Sequence, residues 1–177
     1  QLSEQHRVLV DKISSDHIDA MYEGRIVYTT WKLTVEDDIQ DTLFGIRTSA
    51  IALRRVVEMY QWHEEEKSLS ADASQKALPV YTQEWSSSLV ASSDFVESEK
   101  YTNPTVMPYQ SNVRHNDKVY LGAFLLDSSL TSLLNNFVLF PFVWSAPDGF
   151  SRRESFLYSG NPDFPRVGDV RIRFEVV

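Results

Sequence analysis

The sequence predicts an α+β domain made mostly of antiparallel β-sheet with a few short helices. Two observations carry this reading. β-branched and aromatic residues gather in short runs set off by polar and Pro/Gly turns, the composition a pleated surface prefers. The run 167–177 (VGDVRIRFEVV) alternates, placing Val170, Ile172, Phe174 and Val176 on one face, the two-residue period of a half-buried strand. Size agrees: 177 residues, 42% hydrophobic and 24% charged, fall in the globular range and suffice for one domain, residues 1–177, with its own core.

Along the chain, residues 7–10 (RVLV) form a weak opening strand, and residues 24–34 (GRIVYTTWKLT) a better one. An acidic loop at 36–41 follows, and Gly45 closes its turn. Residues 50–66 (AIALRRVVEMYQWHEEE) hold good helix formers in Leu53, Arg54, Arg55, Glu58 and Met59. As a strand, the same segment puts Leu53, Arg55, Val57, Met59 and Gln61 on one face and Arg54, Val56, Glu58, Tyr60 and Trp62 on the other. The strand is preferred because a second β-rich run, 80–89 (VYTQEWSSSL), follows the polar connector 68–76. Together they read as a long antiparallel hairpin, which a local connection can close.

A short helix is expected over 94–101, with Ser93 or Asp94 as its cap. Asn103-Pro104 ends it, because the residue before proline leaves the helical region. Residues 118–126 (KVYLGAFLL) read as a short buried strand. Residues 128–136 read as a helix capped by Asp127 or Ser128, with Leu130, Leu133 and Leu134 inward. Residues 137–144 (FVLFPFVW) read as an apolar strand. Asn161-Pro162 and Phe164-Pro165 signal turns.

Composition excludes several function classes. A net charge of −8, with acidic residues spread throughout, argues against nucleic-acid binding, which needs a basic face. The same balance disfavours a polybasic contact with anionic lipid. The chain has no cysteine, so disulfides, thiolate metal sites and thiol nucleophiles are out. The longest apolar run falls far short of the ~20 residues a spanning helix needs. His63-Glu64-Glu65-Glu66 invites a metal reading, but one histidine among glutamates fixes no coordination geometry, and a solvated hairpin tip is expected. Asp37-Asp38 sit in a polar loop, and the serine clusters lack a Gly-x-Ser-x-Gly elbow. No catalytic residue, metal ligand or cofactor site is expected.

Three blocks keep a recognisable order: 53–62 (LRRVVEMYQW), with Arg54, Arg55, Glu58, Tyr60 and Trp62; 81–85 (YTQEW), with Glu84 and Trp85; and 156–174, with Phe156-Leu157-Tyr158, Asn161-Pro162, Gly168 and Asp169. Together they resemble the LUMA family of multi-pass membrane proteins, found in the endoplasmic reticulum and inner nuclear membrane and in bacterial relatives. Weaker matches are 23–27, 41–45, Asn103-Pro104 and 121–124. The resemblance implies the larger first part of a luminal or extracytoplasmic domain, tethered by flanking membrane helices that this chain lacks. It implies a non-catalytic role in membrane organisation or self-association, with nuclear-envelope partners such as lamins and emerin in animals. In a bacterium the domain would be periplasmic or extracellular.

The motif residues are expected to be structural, with arginines bonding carboxylates on neighbouring strands. Residues 137–150 (FVLFPFVWSAPDGF) are more apolar than the family's counterpart. Burial is expected there, since apolar side chains are mostly inside. If exposed, Phe137, Phe140, Phe142 and Trp144 form an interaction surface for a partner, the membrane face or an apolar ligand.

Overall fold

Among the described residues, strand pairing is almost entirely antiparallel and regular helix is nearly absent. The computed structural model describes residues 11–67, 78–141 and 145–177. The expected strand at 7–10, the connector at 68–76, and Phe142 and Trp144 lie outside the described residues.

In chain order the strands begin with β1 (Asp11–Lys12), β2 (Val27–Tyr28), β3 (Leu33–Val35), β4 (Ile39–Asp41) and β5 (Ile46–Thr48). Next come β6 (Ala52–Lys67), β7 (Leu78–Ser86), β8 (Asn112–His115), β9 (Val119–Leu121) and β10 (Phe124–Leu125). Helix α1 (Ser128–Thr131) leads into β11 (Val138–Leu139), β12 (Ser151–Arg153), β13 (Phe156–Tyr158) and β14 (Val170–Val176). The chain divides into two compact units: residues 1–52, 114–136 and 177, and residues 53–113 and 137–176.

In the first unit, β1 and β2 pair in parallel, β3 and β10 flank β9, and β4 pairs with β5. The β4–β5 hairpin takes up the second half of the expected acidic loop, at Ile39–Asp41. Its turn is chemical: the Asp41 carboxylate accepts the Leu43 and Phe44 amides at 3.1 Å, an Asx-type turn. Buried Asn116 ties the unit together. Its side chain donates to the carbonyls of Asp37 (2.6 Å) and Ala50 (3.2 Å) and accepts from the Lys118 amide (3.0 Å). Phe44, Ile46, Ala50, Ala52 and Val119 are buried.

The second unit is built on one sheet in the order β12-β13-β14-β6-β7. The β6–β7 hairpin forms as expected, from Met59 opposite Ser86 to Lys67 opposite Leu78. β14 lies antiparallel to the first half of β6, from Val176 opposite Leu53 to Val170 opposite Met59. β11 adds to the far edge of β14 at Glu175 and Val176. Alternation puts Leu53, Val57 and Met59 on the same face as Val170, Ile172, Phe174 and Leu157, and all of these are buried. Each such side chain contributes about 1.5–3 kcal/mol of transfer free energy.

Several expected elements differ. The strand at 24–34 is split: Val27 and Tyr28 pair with β1, whereas Leu33–Val35 pair with β9, so the chain changes partner midway. The strand at 118–126 is a hairpin, because Gly122 takes a positive φ of 63°. Its Cβ position is blocked by the Ser15 carbonyl. The helix at 94–101 is replaced by a 3-10 turn at Ser92–Asp94 followed by further turns. There the Val96 amide donates to Glu64 (2.7 Å) and the Glu97 amide to the Tyr81 hydroxyl (2.9 Å), instead of closing helical bonds. The helix at 128–136 shrinks to α1, capped by Asp127. Leu130 and Leu133, expected inward, are exposed, so no packing extends the nucleus. Among the described residues of the strand expected at 137–144, only Val138–Leu139 (β11) pair, and Pro141 directly follows Phe140; proline cannot continue a ladder.

Candidate interaction surface

Opposite the buried face, the same strands carry charge. Arg54, Val56, Glu58, Tyr60 and Trp62 line this side of β6, and register brings Glu175, Arg173 and Arg171 of β14 beside Arg54, Val56 and Glu58. Arg54 pairs with Glu175 through both Nε (2.5 Å) and Nη2. Arg173 bridges the two carboxylates, with Nε donating to Glu175 (2.8 Å) and Nη1 to Glu58 (2.9 Å). Arg171 Nε donates to Glu58 at 2.7 Å. Cation and carboxylate thus alternate across two strands. The Glu58 and Glu175 side chains are only 16% and 11% exposed, so truncating an arginine strands a half-desolvated carboxylate. Burial pushes the Glu175 carboxyl up, but hydrogen bonds and charge from Arg173 and Arg54 outweigh it and hold the group below the usual glutamate value.

Aromatic rings cover both ends of this ladder. The Arg54 guanidinium lies over the Phe137 ring at 4.0 Å from its centroid. The Arg171 guanidinium lies over Trp85 (4.8 Å) and Phe156 (5.6 Å), a cation–π arrangement. Trp85 also meets Tyr60 (5.2 Å) and Tyr158 (6.0 Å). Further along β6, Trp62 packs edge-on against Tyr101, which stacks on Tyr81 at 3.7 Å.

The remaining motif residues shape the backbone. Gly168 and Asp169 together face Tyr60: the Gly168 amide donates to the Tyr60 carbonyl (2.9 Å) and the Tyr60 amide to the Asp169 carbonyl (2.8 Å). With Gly168 at φ 97°, this is a β-bulge with glycine in its left-handed position. The Asp169 carboxylate accepts the Arg166 amide (2.8 Å) and occupies the space a side chain at Gly160 would need. Past the bulge, buried Asn103 stands in for a missing strand. Its side-chain oxygen accepts the Trp62 amide (2.7 Å) and its nitrogen donates to the Trp62 carbonyl (2.9 Å). Arg55 lies on the buried face, with Nε donating to the Gln110 carbonyl at 2.9 Å. Glu84 is exposed on β7 and accepts the Thr82 hydroxyl at 3.0 Å.

Of the aromatic segment, Phe137 and Phe140 are half-buried, and the Phe140 amide donates to the Phe174 carbonyl (2.8 Å). Between them, Val138 and Leu139 are exposed, contrary to the expected burial, because β11 packs on β14 at its very edge. A concave surface of about 480 Å³ is bordered by Leu89, Val90, Ala91, Pro104 and Thr105. Among the described residues, no three His, Asp or Glu side chains converge as metal ligands. Glu64 is engaged by Tyr81 and Val96.

Sequence reasoning left out Arg171, Arg173, Glu175, Phe156 and Tyr158 as members of this surface. The alternating polar positions of 167–177 were the available signal.

A family model described as Transmembrane protein 43 matches residues 59–177. Transmembrane protein 43 of Rattus norvegicus and of Homo sapiens are each 31% identical over 180 residues, covering 98% of this chain. The chain belongs to the Transmembrane protein 43 family. This is the LUMA family that the sequence blocks resembled. The Drosophila melanogaster Transmembrane protein 43 homolog is 31% identical over 160 residues, 86% of this chain. The chain spans 45% of the rat and human proteins and 43% of the fly protein. No solved structure matches it.

The stretch matched by the Transmembrane protein 43 model starts at Met59, so it takes in β14, the bulge and Trp85. Arg54, Arg55 and Glu58 fall within the longer similarity to the rat and human proteins. The relatives are transmembrane proteins by name. Among the described residues here, no helix is long and apolar enough to cross a membrane.

Proposed function

We propose that this chain is a non-catalytic extramembrane domain of a Transmembrane protein 43-type membrane protein, luminal or periplasmic, that acts as a scaffold by self-association. The observation that carries the reading is the Arg54–Glu175–Arg173–Glu58–Arg171 ladder. Arg54, Glu58, Arg171 and Arg173 are held by one another and by Glu175 across two strands; they do not converge on a cleft where a substrate would sit. A rigid sheet with aromatic and arginine side chains on one face has the composition of protein-contact surfaces. Nuclear-envelope proteins are the partner class in animals, reached through the membrane-tethered whole protein.

Sedimentation of the chain at up to about 1 mM, within the range of effective concentration that short tethers create, should show reversible association. A strict monomer throughout that range would overturn the reading.

The exposure of Val138 and Leu139, beside Phe137 and Phe140, favours a second reading, a surface for lipid or another apolar ligand. The probe is zwitterionic phosphatidylcholine vesicles, because a net charge of −8 opposes anionic ones. Co-flotation that drops several-fold in a Val138→Asp, Leu139→Asp variant is expected. Absence of co-flotation removes this reading.

A further inference from the structure

Among the described residues, β7 is one outer edge of the sheet, with β12 at the other, and its backbone polarity can be assigned residue by residue. In an antiparallel pair, successive residues turn their N–H and C=O groups alternately toward and away from the partner. Tyr60 directs both groups to Gly168 and Asp169, and Trp62 directs both to Asn103, on the side of β6 opposite β7. Their partners across the hairpin, Trp85 and Gln83, therefore turn theirs away from β6 as well. The same alternation turns those of Tyr81 outward. Among the described residues, no hydrogen bond reaches these outward backbone groups. Pro79 is next in the outward series and has no N–H to offer, which limits the open template to 81–85. Such an edge invites strand addition.

We infer that β7 pairs antiparallel with β7 of a second copy, about a two-fold axis through Gln83. This deepens, and rests on, the self-association reading above. The register is self-complementary. With Gln83 opposite the partner's Gln83, Tyr81 falls opposite the partner's Trp85 and Trp85 opposite the partner's Tyr81. All of these are outward-facing positions that can exchange both backbone bonds. Aromatic pairs then meet across the new ladder on the face that already carries Tyr60, Trp62 and Tyr158, and aromatic cross-strand pairs are favourable. On the opposite face, each Glu84 lies across from the partner's Thr82, a hydroxyl donor, and not across from the partner's Glu84. An isologous contact of this kind closes as a dimer and leaves no free β7 edge for further growth. One added strand pair buries less than the roughly 1,000 Å² expected of a stable interface. The contact is therefore weak in free solution and becomes effective when copies are held together on a membrane.

The test uses the 177-residue chain, which has no cysteine of its own. In the proposed register the Cα atoms at 83 are about 5.5 Å apart, within disulfide reach. Those at 84 lie on the diagonal, at about 7–8 Å, beyond it. Gln83→Cys should oxidise to a covalent dimer at least tenfold faster than Glu84→Cys. Gln83→Pro removes an outward N–H and no bond to β6, so it should keep the fold by circular dichroism and weaken association at least tenfold. If wild type associates but Gln83→Cys links no faster than Glu84→Cys, the β7 assignment is overturned while self-association stands. The same holds if a folded Gln83→Pro associates like wild type. If wild type stays monomeric at about 1 mM, the top of the concentration range that short tethers supply, both fall.

Discussion

Glu175 shows how much depends on single contacts. Its carboxylate accepts from Arg54 and Arg173 and sits mostly out of solvent. Its folded pKa is below the usual value, because the arginine bonds outweigh the cost of burial. A depressed carboxylate contributes stability that is fully present above the unfolded value, about 4.3 for glutamate, and is lost as the pH falls through the lower folded value. Urea midpoints should therefore favour wild type over Glu175→Gln at about pH 6, with the gap narrowing from about pH 5 downward. A gap that is constant or widens in acid would contradict the ladder. At this scale the sequence was half legible. Alternation showed that Arg54 and Glu58 share a face of a strand. Their partners could not be read, because Glu175 lies 121 residues from Arg54 and Arg171 lies 113 from Glu58.

At the scale of elements, the long strands were legible and the short ones were not. β6, β7 and β14 carry enough alternating residues to define a face, and the β6–β7 hairpin forms as the sequence implies, whereas nothing local names β6 as the partner of β14. Residues 24–34 look equally strand-like, yet divide between two partners, since period alone does not name a neighbour. The helix expected at 94–101 gives way to turns, and that expected at 128–136 shortens to α1, for a related reason. A helix that short depends on tertiary packing, and the packing goes elsewhere: Phe95 and Tyr101 turn to Tyr81, and Leu133 stays exposed. Asn103 is the sharpest case. In the sequence it reads as a helix stop before Pro104, while in the fold its side chain completes the edge of β6. Asn103→Ala orphans the amide and carbonyl of Trp62, at roughly 1–3 kcal/mol for each buried group left unpaired. A loss of about 2–3 kcal/mol in chemical denaturation is expected, and a loss under about 0.5 would show that these groups find other partners.

For the molecule as a whole, charge and edges set the behaviour. A net charge of −8 makes copies repel at long range, and added salt screens that repulsion. The association sought by sedimentation should therefore strengthen from about 0.02 M to about 0.2 M salt, as Debye screening shortens. Family membership was readable from the sequence alone, because blocks 53–62, 81–85 and 156–174 keep their order. So was the mostly antiparallel character of the chain, because hydrophobic alternation is a local property of a strand. Apart from the β6–β7 hairpin, which strands neighbour one another, which charges meet, and which edges stay open were decided only in the tertiary structure. Those outcomes depend on contacts between residues far apart in sequence, and on backbone groups whose direction no side-chain pattern records.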